Sequence, residues 1–392
     1  MTRPAIDILR EMIRIPSVNP MGRDVEGPEY LEAGMADYLV DLFQKAGIHH
    51  ERIEVAPGRP NVIARINQPD SDVTILLDAH LDTVPVEGMS VEPFEPLEKE
   101  GRIYGRGACD VKGPMSAMLS AFLRLAEEKS DKAANVVFSA TCDEEAGQIG
   151  MADLVDLWTN SDRKSDILTT PPTFAIVAEP TDLEIVVAHR GAVRWKLVTR
   201  GRAVHSSRPT EGINAIYRMA KIINCLEQYA SDLPQHIPPH PLCETATLSV
   251  GIIRGGSSIN IVPDRCQIEI DRRTLPGEAT EEVIQQLDAY CRKQVDFEIE
   301  HEPPVVGLPL SDAHNGPWAD RLLKTIEQVA GPHKKVGALY GTHASRVDAV
   351  NVPTVVFGPG SITQAHTKDE WLPLDELELA TEIYFQFCAT NG

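Results

Sequence analysis

Residues 73–85 read Val73-Thr-Ile-Leu-Leu-Asp-Ala-His80-Leu-Asp82-Thr-Val-Pro85. A short aliphatic and β-branched run ending in polar residues is the pattern of a buried parallel strand. Three more runs end in the same way. Val136–Ala140 leads into Asp143-Glu144-Glu145, Phe174–Val177 into Glu179-Pro-Thr, and Val352–Phe357 into Gly-Pro-Gly and then His366. A further acid, Asp110, sits in Gly107-Ala-Cys-Asp-Val-Lys-Gly113, just before a helical pattern. Open α/β sheets place their sites outside the carboxyl ends of their strands. His80, Asp110, Glu144, Glu145, Glu179 and His366 are therefore expected to converge on one crevice. A single His or Glu after a strand is ordinarily a solvated loop residue or a cap, and two adjacent acids are ordinarily surface. It is the coincidence at four strand ends that points to a site. Crowded acids raise one another's pKa, and a divalent cation relieves them. Two histidines with several carboxylates suit a hard or borderline divalent metal, and two such ions rather than one.

The bulk composition narrows the function classes. A chain of 392 residues, 42% of them hydrophobic, is long enough for more than one structural unit. Its net charge of -21 disfavours nucleic acid and anionic membranes as partners. The charge is uneven. Residues 191–302 hold 13 Lys and Arg against 15 Asp and Glu, a net of -2, and the remaining -19 lies outside them. Arginines free to meet an anionic substrate are thus expected in the middle segment. The opening MTRPAIDILREMIRIPS has no long apolar stretch, so neither a signal peptide nor a membrane span is expected. Seven scattered cysteines with no C-x-x-C pair read as free thiols in a reducing cytoplasm. Cys109 beside Asp110 reads as a small residue in a tight loop rather than a soft ligand.

Residues 1–190 alternate strand and helix patterns. Met115, Met118, Leu119, Phe122 and Leu125 follow helical spacing and read as core. The segment 191–302 reads differently: a strand (AVRWKLVTRG), a helix over Thr210–Tyr229, two strands (TATLSVGIIRGG and CQIEIDRRTL), a helix over Thr280–Lys293, and a last strand (VDFEIEHE). That β-α-β-β-α-β order is a small ferredoxin-like domain inserted into a larger one. Pro303-Pro304 marks the return, followed by a helix near Trp318–Val329 and the strand ending at Phe357. The expected fold is α/β. Residues 1–190 and 303–392 form the larger domain, a mostly parallel sheet flanked by helices, and 191–302 form the inserted one.

Five stretches carry a family resemblance: His80-Leu-Asp82-Thr-Val-Pro, Gly105-Arg-Gly-Ala-Cys-Asp110-Val-Lys-Gly, Asp143-Glu144-Glu145-Ala-Gly, Ala178-Glu179-Pro-Thr and Ala365-His366-Thr-Lys-Asp-Glu. In this order they resemble the motifs of the dinuclear zinc amidohydrolases, the family of acetylornithine deacetylase, succinyl-diaminopimelate desuccinylase, aminoacylase and glutamate carboxypeptidase. The similarity runs from Ile15-Pro-Ser-Val-Asn-Pro to the last helix. It implies two Zn2+ per chain, with Co2+ as a possible substitute. Asp110 would bridge them, one ion taking His80 and Glu179, the other Glu145 and His366. Each ion then has one imidazole and two carboxylate contacts, leaving a position for water.

Asp82, two residues beyond His80, lies on the same side of extended backbone and can fix the imidazole's tautomer. Its plainer reading is a turn cap before Pro85. Successive side chains point opposite ways, so Glu144 and Glu145 take different roles. Glu145 fits the ligand and Glu144 the general base, which takes a proton from water and returns it to the leaving amine.

The resemblance also implies that 1–190 with 303–392 form the catalytic domain and that 191–302 form its lid. His205, in Gly201-Arg-Ala-Val-His205-Ser, matches the oxyanion-stabilising histidine. Asn260 and Arg273 match positions that bind a substrate carboxylate, a task suited to arginine's planar fork, with Arg272 as the neighbouring alternative. The family usually dimerises through this domain. One departure stands out: many members of the family carry Gly-Thr-Asp or Gly-Thr-Glu where this chain has Gly341-Thr-His343-Ala-Ser-Arg346. His343 reads as a pocket or supporting residue rather than a third metal-site histidine. The implied activity is cleavage of an N-acyl amino acid, as in acetylornithine deacetylase. A carboxypeptidase or dipeptidase on the same site is the alternative, and a non-catalytic metal-binding dimer the remote one.

Overall fold

A computed structural model of the protein describes residues 3–128 and 130–392. The chain divides into two compact units. One runs up to Val187 and resumes over Asp312–Val336 and His343–Gly392; the other comprises Ala188–Ser311 with Gly337–Thr342.

The large sheet has eight strands. Their spatial order is His49–Ala56, Arg59–Ile66, Asn135–Thr141, Thr74–His80, Phe174–Val177, Thr354–Val356, Ile185–His189 and Lys335–Ala338. The four central strands, from Asn135–Thr141 to Thr354–Val356, run parallel. Arg59–Ile66 joins this group antiparallel, and Ile185–His189 pairs antiparallel on the other side. The central strands read as unbroken apolar runs because helices cover both faces. Alternate residues of one strand show this. Phe138 packs with Phe43 and Phe122, their ring centroids 5.8 Å away, whereas Val137 turns to the opposite face with Met151 and Leu154. Helix Lys112–Glu127 buries Met115, Met118, Leu119, Phe122 and Leu125. No helix among the described residues is long and apolar enough to cross a membrane.

The second unit holds a sheet in the order Thr247–Gly255, Arg265–Thr274, Gly191–Arg200, Glu300–His301, with Val305–Gly307 also pairing Gly191–Arg200. All these pairings are antiparallel. Helices Ala215–His236 and Val283–Cys291 close one face over Trp195, Leu197, Ile268 and Ile270. Two elements differ from the sequence pattern. The first helix starts at Ala215 rather than Thr210, because the Asn214 side chain accepts the N–H groups of Ile216 and Tyr217 and so caps it there. The last strand shrinks to Glu300–His301, while Val295 and Phe297 stay unpaired and partly buried against the core.

Candidate metal centre

The four parallel strands end together, and their loops carry the polar residues of the site. His80 closes its own strand and is buried. Its Nε2 lies 3.0 Å from Asp110 Oδ1. The other oxygen of Asp110, Oδ2, lies 3.1 Å from His366 Nε2. Glu145 Oε2 stands 3.2 Å from the same His366 nitrogen. Donor atoms of His80, Asp110 and Glu145 fall within 4.8 Å of one another, as do those of His80, Glu144 and Glu179. The six residues expected to converge are therefore together.

The donor set fits divalent ions. Two ligand atoms sharing a tetrahedral zinc, each about 2.0–2.2 Å from it, stand about 3.3 Å apart. The imidazole–carboxylate separations here, 3.0 to 3.2 Å, are close to that. The charge balance fits as well. Burial, and the nearby Asp110 charge, push the Glu145 carboxyl up to about 8 and raise that of Glu179 well above its usual range. Burial likewise raises Glu144. Asp110 goes the other way: burial opposes its charge, but the His366 and His80 hydrogen bonds prevail and hold its carboxyl low. The His366 imidazole is in turn pushed up to about 10 by Asp110 and Glu145. Buried acids with too little positive charge around them call for a cation.

Asp82 does more than the sequence indicated. The oxygen nearest His80 Nδ1 is the backbone carbonyl of Asp82, at 2.9 Å, while its Oδ1 is 3.6 Å away. The Asp82 carboxylate instead accepts the backbone N–H groups of Glu144 at 3.0 Å and Glu145 at 3.1 Å, and the Asn19 amide at 2.8 Å. One buried carboxylate thus holds the loop that presents both glutamates. Behind it, Arg59 bonds Asp143 at 2.7 Å and Glu32 at 2.8 Å. Glu144 Oε1 accepts from Gln148 Nε2 and from the His343 backbone N–H, both at 3.2 Å.

The Asp110 loop has its own anchor, Glu370. This fully buried carboxylate accepts N–H groups of Gly107, Cys109 and Asp110 at 2.8 to 3.1 Å and pairs with Arg106 at 2.6 Å. Arg106 is thus a partner of Glu370 rather than of Asp110. Lys112 is buried as well and donates to Ile15 O at 2.7 Å. His343 is fully buried, its Nε2 2.8 Å from Asp78 Oδ2. Asn19, Arg59, Gln148 and Glu370 escaped the sequence reading. Asn19 and Glu370 do fall inside the quoted stretches Ile15-Pro-Ser-Val-Asn-Pro and Ala365-His366-Thr-Lys-Asp-Glu, but nothing in their spacing shows what they hold.

The residues expected in the lid lie in the second unit. His205 is exposed, with Nδ1 2.8 Å from Ser207 Oγ, and it bridges Ile261. The exposed Asn260 lies next to it, its carbonyl accepting the Ser206 N–H at 3.0 Å. Arg273 is half-buried and pairs with Asp271 at 2.7 Å, while Arg272 turns into the core and pairs with Glu278. Arg273 faces Ala192 at one end of its strand, whereas Asn260 lies beyond Arg265, which faces Arg200 at the other end. Eight residues of strand span roughly 26 Å. Arg273 and Asn260 of a single chain are therefore too far apart to hold one small carboxylate.

The chain matches Peptidase family M20/M25/M40 over residues 76–390. It is 31% identical over 364 residues to the acetylornithine deacetylase of Vibrio parahaemolyticus, covering 90% of this chain and 89% of that protein. The chain belongs to the M20 peptidase family, whose members hydrolyse amides or peptides. Two solved structures share its fold: aminopeptidase PepT of Bacillus cereus, at TM-score 0.76, 20% identity and coverage of 100% and 99%, and a dinuclear metal binding peptidase of Bacillus subtilis, at TM-score 0.69, 16% identity and coverage of 98% and 96%.

Proposed function

We propose that the protein is a dinuclear zinc amidohydrolase that removes the acyl group from N-acyl amino acids. The observation that carries this reading is the Asp110 carboxylate, set between His80 and His366 with one oxygen toward each. His80, Asp110 and Glu179 would hold one ion, and Asp110, Glu145 and His366 the other. Divalent ions held by these residues would supply Lewis acidity toward the amide carbonyl and the attacking water.

The remaining chemistry belongs to the chain. Glu144, fixed by Gln148 and the His343 N–H, takes a proton from the attacking water and delivers it to the departing amine. Burial shifts its carboxyl upward, which favours its accepting a proton. Asp82 keeps Glu144 and Glu145 in place. His205 stabilises the oxyanion, and Arg273 and Asn260 bind substrate carboxylate.

Because Arg273 and Asn260 lie at opposite ends of their unit, a site that uses both draws them from two copies. This supports a homodimer in which His205 and Asn260 complete the partner's site. The lid offers a surface for such pairing. The edge strand Thr247–Gly255 exposes Ile252 and Ile253, and Ile216, Tyr217, Ile259 and Ile261 are exposed around a hollow of about 560 Å³ beside His205 and Asn260. All seven cysteines are buried and outside any disulfide, which supports a reducing, cytoplasmic setting.

The deacylase reading follows the acetylornithine deacetylase relative, while the fold neighbours keep a peptidase in play. A screen of N-acetyl, N-succinyl and N-formyl amino acids against dipeptides, with zinc and with cobalt, separates the two. Release of free amino acid from the N-acyl compounds is expected. Turnover confined to dipeptides would replace the deacylase with a peptidase, and no turnover of any amide would reject the hydrolase.

A further inference from the structure

Arg346 lies on the short helix Ala344–Asp348, just after Gly341-Thr-His343. It is half-buried. Its Nε donates to Gln148 Oε1 at 3.2 Å. The same glutamine's Nε2 donates to Glu144 Oε1, also at 3.2 Å. A single side chain therefore separates the guanidinium from the proposed base. Among the described residues no carboxylate lies within ion-pair distance of Arg346.

Other sheltered arginines of this unit are satisfied. Arg59 pairs with Glu32 and Asp143, Arg106 with Glu370. Arg65 donates to Asn67 and to Ile167 O, and Arg102 stacks over Trp371. Arg346 uses one of its five N–H donors on a neutral amide. The charge of Glu144 reaches this guanidinium without forming an ion pair with it. A partly desolvated guanidinium so placed is costly, and its planar fork matches a carboxylate bidentately.

We propose that Arg346 binds a second carboxylate of the substrate, carried either on the acyl chain or on the amino-acid side chain. The inference rests on the amidohydrolase reading, because Glu144 marks where the scissile carbon sits. A group several bonds from that carbon comes within reach of the guanidinium one glutamine away. The same charge repels a cationic side chain, so a dicarboxylic acyl compound suits this site better than an ornithine derivative.

The zinc-loaded wild type, Arg346→Met and Arg346→Lys test this with matched pairs. N-succinyl-alanine against N-butyryl-alanine reads the acyl source, and N-acetyl-glutamate against N-acetyl-glutamine the side-chain source. Arg346→Met is expected to lose roughly 10- to 100-fold in kcat/KM on the acid of one pair, the scale of a charge-assisted hydrogen bond, and under about 3-fold on its neutral mate. Arg346→Lys should recover part of the loss.

Equal losses on acid and neutral substrates would mean that Arg346 acts only on Glu144 through Gln148, and no loss on either would show that it binds nothing. Calorimetric binding of succinate against butyrate needs no turnover. A wild-type preference for succinate that Arg346→Met abolishes supports the proposal even where no amide is cleaved. The absence of any such preference, in a protein that does cleave amides, overturns it and leaves the hydrolase reading standing.

Discussion

Asp110 Oδ2 lies 3.1 Å from His366 Nε2, and its other oxygen faces His80 at 3.0 Å, so one carboxylate joins the ends of two chain segments more than 250 residues apart. A carboxylate used on both oxygens cannot be replaced by an amide without losing an anionic contact on one side. Asp110→Asn is therefore expected to hold fewer than one ion per chain where the wild type holds close to two, measured by elemental analysis after metal loading. A wild type that never exceeds one ion at saturation would remove the dinuclear arrangement.

Glu370 concentrates the support of that loop in one residue. Replacing Arg106 by Leu leaves the buried Glu370 carboxylate without its cation. Breaking a buried pair in this way costs about 3–5 kcal/mol. Urea unfolding should show a loss of that order, with weaker zinc retention because Gly107, Cys109 and Asp110 hang on the same carboxylate. An unchanged midpoint would show that the pair is dispensable.

Burial pushes the Lys112 amine down to about 7, far below its ordinary value. Between about 7 and ~10.4 the unfolded chain binds a proton at this residue that the folded chain does not, so stability rises with pH across that window. Below it both states are charged and the full penalty remains. Lys112→Met lacks the titration. The metal-free wild type should therefore gain stability relative to Lys112→Met between pH 7 and pH 9.5 in urea titrations. A constant difference across that range would contradict the assignment.

The proposed homodimer predicts complementation. Glu144→Ala and His205→Ala homodimers should each be nearly inactive. After subunit exchange, a heterodimer has one site with an intact Glu144 and the partner's intact His205, and random mixing restores roughly a quarter of the sites. If verified exchange recovers no activity, His205 does not act across the dimer.

The sequence displays what local pattern can encode. The four runs around Leu76, Phe138, Ile176 and Val355 are legible as strands because both their faces are buried, and parallel strands bring their ends to one side. The inserted unit is legible from the switch to two-residue alternation in Gly191–Arg200 and Arg265–Thr274. Long-range polar contacts are not legible. Nothing near Asp82 shows that its carboxylate holds backbone some 60 residues away, because Asp143 must first adopt a left-handed φ of 61° to turn those N–H groups inward. Glu370 holds a loop 260 residues away. Val295 and Phe297 belong to an alternating stretch, yet they pack against the core without pairing in the sheet.

The central claim is that Glu144 moves the proton while its neighbour holds metal. The most direct test is the rate of N-acyl amino acid cleavage by Glu144→Ala and Glu145→Ala, each scored together with its bound metal. Glu144→Ala is predicted to keep two ions and lose at least about 10²–10⁴-fold in kcat, the range for a general acid–base group. Glu145→Ala is predicted to lose metal. A Glu144→Ala protein that keeps its rate, or that loses metal while Glu145→Ala does not, contradicts the account.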